Sequence, residues 1–134
     1  MSRPMDHEKL EVYRKALDFI AWVADLMTEV EGKAAVKDQL DRASTSVVLN
    51  IAEGNGKWSS RDRGRFLQIA AGSATECSAC LDVLVAKRLA HMERVESGKK
   101  MLCDIAAMLV GLIQWNATRV REDSLQYGER REIE

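Results

Sequence analysis

Proline occurs once in this sequence, at Pro4, and aromatic residues make up only 5% of it. The remaining composition is heavy in alanine, leucine, glutamate, lysine and arginine, which is typical of long amphipathic helices. A chain of 134 residues is long enough to bury a substantial core. We therefore expect a single all-α domain spanning residues 1–134.

The sequence also lacks an excess of charge of either sign. Its formal net charge is −1 and its isoelectric point is about 6.2, so no overall positive field attracts nucleic acid. Any phosphate-binding surface must then be local. No apolar run approaches the roughly 18 residues of a membrane span, and the polar N-terminus does not resemble a signal peptide. These absences predict a cytoplasmic protein with no membrane partner.

Cysteine and histidine are scarce. Cys77 and Cys80 form a C-x-x-C pair, but a zinc site needs about four ligands, and His7 and His91 are the only histidines. A thioredoxin-type motif would need a preceding strand, and no strand pattern is visible. Small buried thiols explain the pair better, and we expect neither a metal nor a cofactor.

Apolar residues recur at spacings of three and four in four segments, which predicts helices over about residues 8–31, 34–54, 59–89 and 93–121. Short connections favour an up-down-up-down bundle. The mixed charges of residues 122–134 favour a disordered tail. The first helix carries two apolar stripes. Together they predict a wide buried face, so this helix either lies deep in the bundle or is covered by another subunit: Leu10, Tyr13, Leu17, Ile20, Ala24 and Met27; then Val12, Ala16, Phe19, Val23, Leu26 and Val30.

The other three helices carry one clear stripe each: Val36, Leu40, Ala43, Val47 and Ile51; Leu67, Ala70, Ala74, Cys77, Leu81 and Leu84; Leu102, Ile105, Leu109, Leu112 and Asn116. On the fourth helix Met101, Met108 and Trp115 repeat every seven residues, either as the core edge or as a subunit interface. On the second helix Asn50 lies beside the stripe, either as a polar core residue that fixes register or as a contact to a partner or ligand.

The connection between the second and third helices is the most distinctive stretch. Gly54 and Gly56 are expected to end the second helix, because both tolerate a left-handed conformation. Ser59 opens the third, with Asp62 in the position of a capping-box partner. Four basic residues surround that aspartate, Trp58 lies beside them and the preceding helix adds Arg42: Lys57, Arg61, Arg63 and Arg65. The set is either a solvated polar face or a nucleic-acid or partner site, in which Trp58 stacks on a base.

Three charged residues invite a pairing hypothesis. Arg42 and Glu53 lie 11 residues apart on one face of the second helix, and Glu76 falls at a similar height to Arg42 on an antiparallel third helix. We expect an Arg42–Glu76 ion pair that fixes helix register. Glu53 and Glu76 are expected to lie more than about 20 Å apart along the bundle, too far for paired acid–base catalysis. No catalytic constellation is visible, and we expect no enzyme and no small-molecule substrate.

Residues 39–62, QLDRASTSVVLNIAEGNGKWSSRD, followed by RFLQIAAGSATE at 65–76, resemble the signature of the four-helix-bundle family encoded in 23S ribosomal RNA intervening sequences. Accessory proteins of diversity-generating retroelements are similar to that family. Within the pattern, Asn50, Glu53, Gly54, Gly56, Ser59 and Glu76 are motif positions. The chain departs from it at Asp41, Val48, Asp62 and Arg63, where the pattern often has a basic residue, proline, and Glu-Phe.

The resemblance implies a cyclic homo-oligomer, a pentamer, and a bacterial protein whose relatives are suspected of binding nucleic acid or assisting a reverse transcriptase. Two hypotheses follow. The first is a non-enzymatic oligomeric scaffold or adaptor that contacts nucleic acid at most locally. The alternative is an RNA- or DNA-binding accessory protein of a mobile element or reverse transcriptase. The near-neutral isoelectric point favours the scaffold, since proteins that live on nucleic acid are usually basic.

Overall fold

The computed structural model describes the backbone of residues 6–133 and the side chains of residues 7–126. A short 3-10 turn, Asp6–Lys9, precedes four helices: α1 (Glu11–Glu29), α2 (Ala35–Asn55), α3 (Ser60–Ala86) and α4 (Met92–Ile133). No strand occurs between residues 6 and 133. The prediction of an all-α chain with four helices is confirmed.

Side-chain contacts join the helices to one another. Ser46 on α2 meets Ser73 on α3, and Lys99 on α4 pairs with Asp82 on α3. Trp22 on α1 donates a hydrogen bond to Ser97 on α4. Each helix packs on the next one in the chain, and α4 also packs on α1, so the four helices enclose one core.

The apolar stripes predicted for α2 and α3 are buried in full. For α1, the two stripes do not form one wide buried face, because only the second is buried in full. All six residues of the second stripe, from Val12 to Val30, are buried, whereas in the first stripe Leu17 is 41% exposed and Ala24 is exposed. Both stripes have helical spacing, and only the position of the neighbouring helices decides which of them faces the core.

Two helices end earlier than predicted. α1 ends at Glu29 and is followed by Gly32 with φ of 80°, a conformation that glycine adopts without strain. The Lys37 ammonium donates to the carbonyls of Val30, at 2.8 Å, and Gly32, at 3.1 Å. α3 ends at Ala86, where the chain turns through Arg88 at φ of 61°.

The fourth helix is longer than the sequence predicts, because it continues through residues 122–133, the expected disordered tail. Side chains in its last described turns support the helical backbone. Arg119 and Glu122, three residues apart, approach to 3.8 Å, and Ser124 donates a hydrogen bond to the Val120 carbonyl. Mixed charges at helical spacing can therefore stabilise a helix that lacks a buried face.

Two segments are long and apolar enough to span a membrane by length and composition alone: Ser60–Ala86 and Met92–Gln126. The sequence contains no uninterrupted apolar run of roughly 18 residues. Both segments nevertheless reach that length when hydropathy is averaged along the helix. The same criterion is met by core helices of soluble proteins, and α3 buries Leu67, Ala70, Leu81 and Leu84 within the four-helix core. The observation is thus weak evidence for a membrane span.

Near the start of α4, the helix backbone passes very close to an aromatic ring of α1. A Cβ atom built on Gly98 would lie 2.2 Å from Cη2 of Trp22. Three contacts hold the indole in place: it stacks on Phe19 at 5.7 Å, lies under the Arg94 guanidinium at 5.3 Å, and donates from Nε1 to Ser97 Oγ at 3.1 Å. Packing therefore favours glycine at position 98, because a Cβ atom there would force the indole or the helix to move.

Candidate interaction site at the α2–α3 corner

The corner between α2 and α3 is closed by backbone and capping hydrogen bonds. The Gly56 amide donates to the carbonyls of Ala52, at 3.2 Å, and Glu53, at 3.1 Å. At the start of α3, Ser59 Oγ accepts from the Asp62 amide at 3.1 Å, which confirms the predicted N-cap. The corner is thus a defined platform for the side chains between residues 57 and 65.

The prediction that Gly54 and Gly56 end the helix through a left-handed conformation is wrong. Neither has a positive φ: α2 runs through Gly54 to Asn55, and Gly56 caps the helix at φ −82°. Gly54 is buried, and a Cβ atom there would lie 3.0 Å from Phe66 Cβ and 3.4 Å from the Arg63 carbonyl. Its role is to let α3 approach α2 closely, which periodicity along one helix does not reveal.

Four of the predicted contact residues near the corner reach solvent. Trp58 is 99% exposed, and Arg61 and Arg65 are exposed beside it. Lys57 is half-buried, with its ammonium 5.1 Å from the centre of the Phe66 ring. Arg65 lies over the same ring at 5.3 Å and 4.0 Å from the Asp62 carboxylate. This set of four, Lys57, Trp58, Arg61 and Arg65, is called the corner cluster below.

Arg63 does not belong to the corner cluster. Its side chain is half-buried, its Nη2 donates to the Lys57 carbonyl at 3.0 Å, and its Nε is buried without a hydrogen-bond partner. The guanidinium braces the corner instead of facing a phosphate. Arg63 is two residues from Arg61 and two from Arg65, so it lies on the opposite side of α3 from both. Counting the charges between residues 57 and 65 does not show this difference.

The expected Arg42–Glu76 ion pair is absent. Both side chains are exposed, and no ion pair joins them among the described residues. The two helices do lie in the expected register, because Ser46 Oγ and Ser73 Oγ meet at 2.8 Å and Gly54 meets Phe66. Arg42 and Glu76 therefore lie at a similar height on adjacent helices without pairing. Glu53 is also exposed.

Asn50 is half-buried and bonds within its own helix. Its amide donates to the Ser46 carbonyl at 2.8 Å and to Ser46 Oγ at 3.0 Å, and Ser46 Oγ in turn bonds to Ser73 Oγ. Asn50 thus connects to α3 only through Ser46. Among the described residues, Asn116 is a more deeply buried amide, at 2% exposed. In the sequence, its burial was indicated by its place in the apolar stripe predicted for α4.

Cys77 and Cys80 are buried free thiols, as predicted, and Cys103 is exposed. Burial, with smaller contributions from Cys80 and Glu76, raises the pKa of the Cys77 thiol from 9.0 to about 12. Burial and then Glu76 also raise the pKa of Cys80. Both shifts oppose the thiolate that redox chemistry needs. The described residues contain no group of three or more potential metal ligands.

This difference predicts thiol reactivity. In the native protein at about pH 8, where an ordinary thiol is partly ionised, we expect Cys103 alone to react rapidly with Ellman's reagent, and all three thiols to react after denaturation. Cys103→Ser should remove the fast phase, and Cys80→Ser should leave it unchanged. A fast phase that survives in Cys103→Ser would show that the C-x-x-C pair is accessible.

The family model for the 23S rRNA-intervening sequence protein matches residues 8–111, which cover α1, α2, α3 and about half of α4. The chain belongs to this family. The description of the family names no catalytic activity. The departures at Asp41, Val48, Asp62 and Arg63 are thus variations within the 23S rRNA-intervening sequence proteins.

Among solved structures, this 23S rRNA-intervening sequence protein is similar to a protein of unknown function from the S23 ribosomal protein family of Bacteroides thetaiotaomicron. The two chains are 26% identical with a TM-score of 0.72, and the match covers 76% of this chain and 97% of the other. No curated protein matches significantly.

Proposed function

We propose that this chain is a non-enzymatic, cytoplasmic scaffold or adaptor that works as a cyclic homo-oligomer. The observation that carries the proposal is a solvent-facing apolar pair outside the core: Leu49 on α2 is 58% exposed and Ile69 on α3 is 45% exposed. Neighbouring exposed apolar side chains that form a continuous patch indicate a protein–protein contact, which isolated ones do not.

The pair lies within a larger surface, called the outer α2–α3 face: Arg42, Leu49 and Glu53 on α2, with Ile69, Glu76 and Val83 on α3. The spacings of seven and four place each set on one side of its helix. The Ser46–Ser73 contact sets Leu49 and Ile69 within one helical turn of the same height. An apolar centre with charged residues around it has the make-up of an interface core and rim.

Charge complementarity suggests what binds this face. Arg42 and Glu76 lie at opposite edges of it, both exposed and unpaired with each other. In a head-to-tail ring, Arg42 at the α2 edge of one copy can meet Glu76 at the α3 edge of the next, since a heterologous contact joins two different patches of the two copies. The family resemblance adds the expectation of five subunits. The sequence hypothesis, an interface on the doubly apolar α1 and on the Met101–Met108–Trp115 stripe, is the competing placement.

Light scattering at micromolar concentration tests self-association. We expect a particle of several times the 15.0 kDa chain mass, and a 15.0 kDa particle for the Leu49→Glu/Ile69→Glu double variant. Val110→Glu is the matched control, because Val110 is 49% exposed on α4, away from the outer α2–α3 face. Dissociation by Val110→Glu instead would move the interface to α4. A wild-type particle of 15.0 kDa would overturn the proposal.

A second candidate is an RNA- or DNA-binding accessory protein of a mobile element that assists a reverse transcriptase. The corner cluster favours it, because an indole with 99% of its surface exposed stands beside two exposed guanidinium groups. Stacking on a base and contacts to phosphates require that combination. In a ring the cluster would repeat once per subunit. Fluorescence polarisation of labelled single-stranded RNA and DNA at low salt is the measurement that tests it.

A further inference from the structure

A cavity of about 650 Å³ lies beside the corner, between the beginnings of α1 and α3, the end of α2 and the middle of α4. Its apolar walls are Leu10, Ile51, Leu67, Leu112 and Trp115. Trp115 is 52% exposed, so part of the indole faces solvent. The volume falls within the roughly 300–1,000 Å³ typical of small-molecule sites, and the walls suit an apolar molecule.

The polar side chains that line this cavity are basic or neutral. Lys9 and Arg63 each bring a positive charge, Asn55 and Asn116 bring amides, and no acidic side chain is found among the described residues of the lining. A cleft whose charges have one sign concentrates ions of the opposite sign. The charge of the lining therefore favours an anionic ligand.

Two of these polar groups are free to contact a ligand. Lys9 is exposed and Asn55 is half-buried, and within the described part of the chain neither side chain forms an ion pair or a hydrogen bond. The carboxylates closest to Lys9 in the sequence, Glu8 and Glu11, do not line the cavity. The Lys9 ammonium and the Asn55 amide can thus both donate to an acceptor there.

Arg63 and Asn116 shape the cavity without contacting a ligand. Arg63 Nη2 donates to the Lys57 carbonyl at 3.0 Å, and Asn116 Nδ2 donates to the Ser60 carbonyl at 2.6 Å. Arg63 Nε and Asn116 Oδ1 are buried, so a ligand cannot reach them. The Arg63 charge still attracts an anion, because Coulomb attraction does not require contact. The start of α1 at Leu10, which has no side-chain cap, adds a partial positive charge.

We propose that this cavity binds an amphipathic monocarboxylate, a molecule with an apolar body and one carboxylate head. The body packs against the apolar walls, and the carboxylate accepts hydrogen bonds from the Lys9 ammonium and the Asn55 amide. One negative charge matches the one ammonium that is free among the described lining residues. The site shares no residue with the outer α2–α3 face or the corner cluster, so the proposal goes beyond the scaffold function.

Calorimetric titration of the full chain with three probes that share one apolar body tests the head group: naphthalene-2-carboxylate, naphthalene-2-carboxamide and 2-naphthylmethylammonium. We expect saturable binding of the carboxylate at one site per chain, about tenfold tighter than the carboxamide, because charge-assisted hydrogen bonds are stronger than neutral ones. The ammonium probe should bind most weakly. Equal affinities for all three, tightest binding of either other probe, or no binding of the carboxylate would each overturn the proposal.

Replacing Lys9 tests the contact to the carboxylate. Lys9→Met should lower the affinity for the carboxylate about tenfold, to that of the carboxamide, and leave the affinity for the carboxamide unchanged. Lys33→Met is the matched control, because Lys33 is also exposed but does not line the cavity. Unchanged carboxylate binding in Lys9→Met would contradict the assignment, and equal losses in both variants would reduce it to a general charge effect.

Two tryptophan substitutions locate the apolar body. Trp115→Ala removes a wall of the cavity at a half-exposed position and should weaken binding of the carboxylate and the carboxamide alike, by about tenfold. Trp58→Ala is the control, because Trp58 is 99% exposed and does not line the cavity. Circular dichroism checks that all variants are folded. Full affinity in Trp115→Ala, or the same loss in both tryptophan variants, would show that the probes bind elsewhere.

Discussion

Replacing Gly98 with alanine should lower the free energy of unfolding by about 2 kcal/mol, because the new methyl group overlaps a ring that cannot move freely. The Cβ would lie 2.2 Å from Trp22, whose indole is already held by Phe19, Arg94 and Ser97. Either the indole leaves its place or α1 and α4 separate. Urea denaturation followed by circular dichroism at 222 nm measures the loss.

The same helix offers a matched control. Gly111 also lies within α4, but a Cβ atom there would meet nothing within 4 Å. Gly111→Ala should therefore raise the free energy of unfolding by about 0.5–1 kcal/mol, since alanine loses less conformational entropy in a helix than glycine does. If the two variants shift stability in the same direction, the close approach of α4 to Trp22 is not a real constraint.

Charge reversal at Arg61 and Arg65 should abolish nucleic-acid binding if the corner cluster contacts phosphates. Both guanidinium groups are exposed beside Trp58, so Arg61→Glu/Arg65→Glu replaces two attractions by two repulsions. We expect at least about a tenfold loss of affinity for single-stranded RNA or DNA at about 50 mM salt. For the neutral double variant, Arg61→Gln/Arg65→Gln, the slope of log affinity against log salt should become shallower by about 1.4.

Lys87→Glu/Lys100→Glu is the appropriate control, because it changes the net charge equally at two exposed positions away from the corner. Its affinity should change little. Arg63→Gln should also have little effect on nucleic-acid binding, since that guanidinium braces the corner. Equal losses in both charge-reversal variants would indicate a general charge effect. No binding by the wild-type chain at low salt would remove this candidate function and leave the scaffold proposal in place.

Much of the fold could be predicted from the spacing of residues within single helices. The apolar positions of α2 and α3 are the buried ones, and Ser59 caps α3 as its spacing to Asp62 predicts. The 39–76 signature pointed to the family, which the match over residues 8–111 then showed. These features depend on side chains a few residues apart in one helix, so the periodicity of the sequence contains them.

Fewer features of the candidate site at the α2–α3 corner could be predicted from residue spacing. Trp58, Arg61 and Arg65 are exposed as the nucleic-acid hypothesis requires, but Arg63 faces inward and Arg42 does not pair with Glu76. The cavity that Asn116 lines was not predicted, although Asn116 is the polar residue in the apolar stripe predicted for α4. Each of these outcomes depends on where a second or third helix lies relative to the side chain.

By itself, therefore, the sequence determined that this chain forms four amphipathic helices joined by a capped corner. Only the tertiary structure decided which of the two α1 stripes is the core, why packing favours glycine at positions 54 and 98, and which charged side chains reach solvent. The physical reason is that helix formation follows from spacing along one chain segment. How closely helices approach, which side chains are buried and which of them pair depend on the distances between segments. Those distances are set by all the segments together and not by the order of residues in any one of them.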